Sequence, residues 1–385
     1  MPFQRVSIME QRKEFVILAN KEGANVRELC RRFQISPATG YKWLNRFEAH
    51  GLQGLRDQSR RPEQSPLLTA DAIEAQIVAA RQTHPRWGAR KLRRWLENRG
   101  VAALPAASTV HAILRRHGCI SADESAAHQA WKRFEHPLPN DLWQMDFKGH
   151  FAVGAGRCHP LTVLDDHSRY VLCLGAQSNE QFTPTRERLI QTFRRYGLPW
   201  RMTMDNGAPW GEPGRYTRFE LWLMRLGIRV SHSRPYHPQT QGKDERFHRT
   251  LKAEVLQQQT FLDLHQVQQK FDAWLPVYNH ERPHDALGLN TPTSRYTASA
   301  RAYPEQLLAL EYADGDIVRK VQGGGELHYL GKEYALGKAF TGEAVALRKT
   351  ADDNIIQVHY GIYQVATIEL KDQSILIKKG QKNHS

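Results

Sequence analysis

The stretch RPYHPQTQGKDERFHRTLKAE, residues 234–254, opens as a loop punctuated by Pro235, Pro238 and Gly242 and then becomes a highly charged run with helical periodicity. Near the switch Glu245 sits among Lys243, Arg246, Arg249 and Lys252. With Glu245 as the origin, Arg249 and Lys252 fall within about 40° of it at about 100° per residue. Phe247, Leu251 and Val255 form a separate apolar stripe that can face a sheet. Two readings of Glu245 compete. It can be the partner of Arg249 in an ordinary i,i+4 ion pair, or a metal-binding acid on a face whose bases grip phosphates. The ion pair accounts for the helix but not for the loop that precedes it.

Working outward, the preceding segments supply two further acids. WQMDFKGH, residues 143–150, reads as a strand with Asp146 inside it, a position that strand propensity disfavours and where unpaired burial is costly. In MDNG, residues 204–207, Asp205 ends another strand just before an Asn-Gly turn. Each acid alone has a plain reading: an exposed edge residue, a turn-forming acid, a carboxylate at the positive end of a helix dipole. Together they suit Mg²⁺, which takes oxygen ligands from a few carboxylates plus phosphate and water. Two such ions a few ångströms apart can activate an attacking oxygen and stabilise a leaving one in phosphoryl transfer.

Around these acids the texture from residue 140 onward is rich in β-branched and aromatic residues. The order is three strands, helix, strand, helix, strand, helices. Short first connections and later helical crossovers predict an α/β sheet of mixed direction. From about residue 315, short strands joined by Gly or Asp turns predict a small β-barrel.

The front of the chain is helical. Residues 10–50 read as three short helices, the third opening at Ser36-Pro37 as an N-cap followed by a first-turn proline. Gly40, Trp43, Leu44 and Phe47 share its inner face, leaving Thr39, Lys42 and Arg46 outside, which is the helix-turn-helix pattern. Residues 70–118 repeat the plan. Ser108 is placed to cap the last helix, Val110, Ile113 and Leu114 face inward, and Thr109, Arg115 and Arg116 face out. Between the units, Arg60 and Arg61 lie in a polar, Pro-rich linker and are candidates for a minor groove. The expected domains are residues 1–58 and 66–120 (helix-turn-helix units), 136–298 (catalytic core with following helices) and 312–380 (β-barrel).

Bulk composition agrees. The 385 residues carry a net charge of +14, and residues 1–135 hold 23 Lys and Arg against 13 Asp and Glu, a net +10 in one third of the chain. That asymmetry points to a polyanion partner. Cys30, Cys119, Cys158 and Cys173 are scattered and form no CxxC pair, against a zinc ribbon or disulfide scaffold. Without a signal-peptide core or an apolar run of about 18 residues, a cytoplasmic, nucleoid-associated protein with no membrane segment is expected.

PYHPQTQGKDERFHRTLKAE resembles the third signature of the DDE transposase and retroviral-integrase superfamily. WQMDFKGH, LTVLDDHSRYVL (161–172) and MDNG resemble its first two acid motifs and the hairpin between them. YNHERPHDALGLNTP (278–292) resembles the segment after the core in bacterial insertion-sequence transposases. The resemblance spans residues 10–295 and implies an RNase H-like core with a mixed five-stranded sheet. It implies catalysis and metal binding at Asp146, Asp205 and Glu245, with two Mg²⁺ ions that Mn²⁺ can replace. It also implies double-stranded DNA partners, namely element ends and target, gripped in part by Lys243, Arg249 and Lys252, and pairing of two ends by at least a dimer. The interval from Asp205 to Glu245 is slightly longer than the family's usual one, with the extra length assigned to APWGEPGRY (208–216).

Three rivals stand beside this reading. A tyrosine recombinase would carry a His-x-x-Arg pair, and none of the 18 histidines is followed by Arg at that spacing. A DNA-binding regulator with an inactive RNase H-like domain needs only the two front units. A hybrid nuclease shares the core but leaves the front units unexplained.

Overall fold

The computed structural model describes the 385-residue chain except residues 1–6, 58–67, 121–134, 155, 206, 208, 209, 212, 213, 233–241, 308 and 380–385. The chain divides into two compact units, Met1–Leu68 and Thr69–Ser385.

The first unit is three helices, α1 (Ile8–Ala19), α2 (Val26–Arg32) and α3 (Pro37–His50). Each start is capped by a side chain. Ser7 and Glu10 form a reciprocal capping box, and Asn25 and Ser36 accept from the N–H groups of Glu28 and Thr39. Phe15, Val16, Cys30, Trp43 and Leu55 form the core, with Leu44 and Phe47 packed against it. Gly40 is required where α3 meets the other two helices, since a Cβ there would sit 2.4 Å from Cys30 Sγ. Arg60 and Arg61 lie outside the described residues.

The second unit begins with α4 (Asp71–Thr83), α5 (Ala89–Asn98) and α6 (Ala107–Arg116) around Ile77, Trp87, Leu92, Val110, Ile113 and Leu114. Ser108 does not cap α6. The helix starts two residues earlier, so Ala106 holds the cap position without a side-chain hydrogen bond.

The central sheet follows. β1 (Trp143–Phe147), β3 (Gly156–Asp165) and β4 (Val171–Gln177) pair antiparallel, while β5 (Arg201–Met204) and β6 (Arg229–His232) add in parallel on the other side of β1. The spatial order is thus β4-β3-β1-β5-β6, with the short β2 (Phe151–Val153) continuing the β1 edge along β3. The break between β1 and β2 falls at Gly149, whose φ is +81°. The expected five-stranded sheet therefore gains a sixth, short strand. α7 (Phe182–Tyr196) and α8 (Arg218–Arg225) are the crossovers. α9 (Gly242–Glu254) and α10 (Leu264–Pro276) cover the β3–β4 face through Phe247, Leu251, Val255, Val267 and Phe271.

α8 is apolar nearly all round because it is buried on two sides. Phe219, Trp222 and Leu223 enter the central core, and Leu221 and Met224 enter the C-terminal one. That C-terminal region holds an antiparallel sheet of β7 (Ile317–Lys320), β10 (Ala344–Lys349), β11 (Ile355–Tyr360), β12 (Tyr363–Glu369) and β13 (Ser374–Ile377), plus a hairpin of β8 (Glu326–Tyr329) and β9 (Lys332–Ala335). The predicted barrel is not closed. Among the described residues β7 and β13 do not pair, and the hairpin between them contributes Leu327, Tyr329 and Tyr334 to the core without joining the ladder.

Candidate active site

Asp146 is the fourth residue of β1, opposite Thr162 of β3. On the other side of β1 the parallel register pairs Gln144 with Thr203, so two further residues along each strand Asp146 and Asp205 reach the same level. The Asp146 side chain is 20% exposed. Its pKa is pushed up to about 7, first by burial and then by the neighbouring charge of Asp205, with a smaller push from Glu180. The first two predicted acids are therefore brought together. The main chain beneath them is held as well: His232 Nδ1 lies 3.1 Å from the Asp205 carbonyl oxygen, and its Nε2 lies 2.7 Å from the buried Glu220 carboxylate.

The third element arrives as α9. Its apolar stripe, buried at Phe247, Leu251 and Val255, fixes the rotation of the helix. That stripe continues backward to Asp244, three residues before Phe247, so Asp244 is buried too, at 2% exposure. Burial raises its pKa well above the ordinary carboxylate value, and the charges of Asp146, Asp166 and Asp205 add to the effect. Its Oδ1 has no hydrogen-bond partner. Glu245, the predicted acid, stands next to it at the exposed start of α9, with no ion pair to Arg249. Among the described residues no three His, Cys, Asp or Glu side chains are gathered as a ready metal cage.

Sequence reading passed over Asp244 because Glu245 carries the motif. The signal was present: an acid in phase with a helix's apolar stripe is an acid facing the core. It also passed over His248 and Lys148. His248 Nε2 lies 2.9 Å from Thr162 Oγ1, and its Nδ1 lies 3.7 Å from Asp146 Oδ2. Burial lowers the His248 pKa to about 4. Lys148 follows β1 closely; burial and then the nearby Lys252 charge lower its pKa, so the two bases neighbour each other beside the acids.

The predicted DNA contacts divide. Lys42, Thr109, Arg115, Arg249 and Lys252 are exposed. Thr39 is half-buried and its hydroxyl is 2.9 Å from that of Ser36. Arg46 stacks over Trp43 at 5.0 Å and donates to the Arg56 carbonyl. Arg116 is paired with Glu74. Lys243 is turned inward onto the buried Asp166.

The second helical unit is docked on the core segment that follows α10. Arg99 and Trp95 donate to Glu281 at 2.8 and 3.3 Å, Arg90 pairs with Asp285 at 3.3 Å, and Arg94 donates to Asn290 at 3.1 Å. Nearby, Asn279 bonds the N–H and carbonyl of Val171, each at 2.9 Å, as a strand neighbour would. No described helix is long and apolar enough to cross a membrane.

Comparison with known proteins agrees with this layout. A profile described as "Integrase core domain" matches residues 136–238, and a second of the same description matches 226–292. A "Helix-turn-helix domain" profile matches 11–63 and a "Homeodomain-like domain" profile 39–114. Residues 316–376 match "IS481 family transposase, C-terminal domain". The uncharacterized 39.2 kDa protein of insertion element IS476 from Xanthomonas euvesicatoria is 25% identical over 265 residues, 67% of this chain and 74% of that protein. The uncharacterized 31.7 kDa protein of insertion element IS407 from Burkholderia multivorans is 23% identical over 241 residues, 60% of this chain and 83% of that protein. A structure of the HTLV-2 integrase catalytic core domain in complex with magnesium is 19% identical and covers 42% of this chain and 99% of its own, with a TM-score of 0.33. With integrase-core, helix-turn-helix and transposase C-terminal matches in one chain, the protein belongs to the bacterial insertion-sequence transposases of the retroviral-integrase superfamily.

Proposed function

We propose that this transposase cuts and joins DNA strands at Asp146, Asp205 and Glu245. Its helix-turn-helix units bind the inverted repeats at the element ends. A phosphodiester at each end is hydrolysed, and the freed 3′-hydroxyl attacks target DNA by transesterification. Pairing two ends calls for at least two copies of the chain. The observation that carries the reading is the Asp146–Asp205 pair at one level of adjacent parallel strands, where burial first and the Asp205 charge second push Asp146 up to about 7.

Such a pair fits a hard divalent cation. The donors are carboxylate oxygens, the ionised form of Asp146 lacks compensation, and the buried Oδ1 of Asp244 has no partner. Asp146 and Asp205 would hold Mg²⁺ or Mn²⁺, two ions in the full site, with Glu245 completing the set. Bound there, the ions would supply Lewis-acid activation of the attacking oxygen and stabilisation of the leaving one. The protein's own part is positional. β1 and β5 hold two acids at one level, α9 would bring Glu245 to them, and Lys148, Arg249 and Lys252 would draw the phosphate backbone to the same end of the sheet.

The test is divalent-metal-dependent nicking of a duplex carrying the element end, followed by joining to a second duplex. Asp146→Asn loses both steps while end binding persists. Full strand transfer by that variant overturns the proposal. A wild-type chain that binds ends but never nicks them would be the regulator with an inactive core.

A further inference from the structure

At the opposite end of the central sheet from the acids lies a cleft of about 300 Å³ between the core and the C-terminal sheet. Its walls include Trp200, Arg201, Arg229 and Asp141 from the core and Ile362 and Tyr363 from the β11–β12 turn. We propose that this cleft binds the sugar–phosphate backbone of duplex DNA, gripping it with Arg201 and Arg229. It rests on the reading that DNA is the substrate, and it gives the C-terminal sheet a part in holding it.

Arg201 and Arg229 are direct register partners in the parallel β5–β6 pair. Both are exposed, and neither makes an ion pair or a side-chain hydrogen bond. Two guanidinium groups side by side repel unless an anion lies between them, and a phosphodiester accepts from both. The hydroxyl of Tyr363 is buried without a hydrogen-bond partner and feels the charges of Arg229 and Arg301. It is a spare donor beside the two arginines. Asp141 is the one carboxylate on the wall, so the positive charges outnumber it.

The cleft is also held rigid. Arg301 stacks 4.3 Å from the Trp200 ring and donates to the carbonyls of Leu226 and Gly227 at 3.1 and 3.0 Å. Its charge is thus spent on the frame, in contrast to Arg201 and Arg229. The Arg229 N–H donates to the Trp200 carbonyl and the Trp200 N–H to that of Asn140, both at 2.9 Å. Trp200 is nonetheless 56% exposed and Ile362 77%. Apolar surface beside paired cations suits a deoxyribose next to its phosphate. Arg201 opens β5 and Asp205 directly follows its last residue, four positions and about 13 Å further on, so this subsite is separate from the acids.

The test uses the full chain without divalent metal and a random-sequence duplex. Phenylglyoxal modification, read by mass spectrometry, should find Arg201 and Arg229 protected by DNA. The double variant Arg201→Gln/Arg229→Gln should lower the slope of log affinity against log salt by about 1.8, at about 0.9 per phosphate contact. Unprotected arginines with an unchanged slope overturn the proposal. An unchanged slope with altered subunit assembly also overturns it, assigning the cleft to a protein partner. Because no cleavage is read, loss of this subsite leaves the catalytic reading standing, and an uncleaving wild type leaves this one standing.

Discussion

Lys243, in the first turn of α9, donates to the buried carboxylate of Asp166 at the turn between β3 and β4. Asp166 also accepts from Gln144 of β1 at 2.7 Å and from the His136 N–H at 2.9 Å. One carboxylate therefore ties the start of the Glu245 helix to the strand that carries Asp146. The lysine expected to hold DNA is engaged here with Asp166, at the start of the helix that carries Glu245. Lys243→Gln should leave Asp166 short of its charged partner and lower stability by about 3 kcal/mol, the usual cost of breaking a buried pair from one side. The urea midpoint should fall while the salt slope of DNA binding stays the same. A slope reduced by about 0.9 with unchanged stability would return Lys243 to the DNA surface.

Asp244 and Glu245 are neighbours with opposite surroundings, so paired substitutions separate their roles. Glu245→Gln should lower nicking about a thousandfold or more, about 4 kcal/mol of transition-state stabilisation, with end binding intact. Asp244→Asn should keep measurable nicking and should not destabilise the metal-free protein, because burial already favours the uncharged form of that side chain. If the two variants exchange these outcomes, Asp244 is the third ligand.

Period-2 runs and Gly/Asn turns made β1, the β3–β4 hairpin, β5 and β6 legible, because local pattern and tertiary role agree there. Asp146 stood out for the opposite reason, as an acid where strand propensity disfavours one, and the register brings it level with Asp205. What escaped depends on contacts between distant segments. Lys243 was read outward because an exposed charge is the default for lysine, and only the buried Asp166, 77 positions away, turns it in. Arg116 does face outward as read, but its pairing with Glu74, 42 positions away, was not legible. The C-terminal strands were legible, but closure was not, since it depends on where the β8–β9 hairpin is laid rather than on any strand's own pattern.

Arg115 and Arg116 end α6 together and make a direct comparison. Arg116 is engaged by Glu74, while Arg115 is exposed. Arg115→Ala should weaken binding to the element end by about 1 kcal/mol or more, measured by fluorescence anisotropy. Arg116→Ala should weaken it less and should lower the melting temperature of the metal-free protein slightly, as loss of a partly exposed ion pair does. Equal losses of affinity would show that DNA draws Arg116 off Glu74.

The raised pKa of Asp146 makes metal-free stability fall with pH in a defined window. The ordinary value is 3.8 and the folded one about 7. Between those limits the folded chain keeps a proton that the unfolded chain releases, so folding is progressively disfavoured as pH rises. The advantage of the protonated site is complete below about pH 4 and is lost as pH climbs to the folded value, beyond which the dependence levels off. From pH 5 to pH 8 in EDTA the wild type should lose on the order of 2 kcal/mol on this account. Asp146→Asn, uncharged throughout, should lack that loss and be the more stable protein at pH 8. Mg²⁺ should narrow the gap by binding the ionised wild-type site, since a ligand that favours the folded state stabilises it. Urea midpoints at the two pH values, with and without Mg²⁺, check all three. A wild type whose midpoint tracks that of the variant across the range would mean that Asp146 is ionised without strain, and the crowding of the two strand acids would lose its chemical meaning.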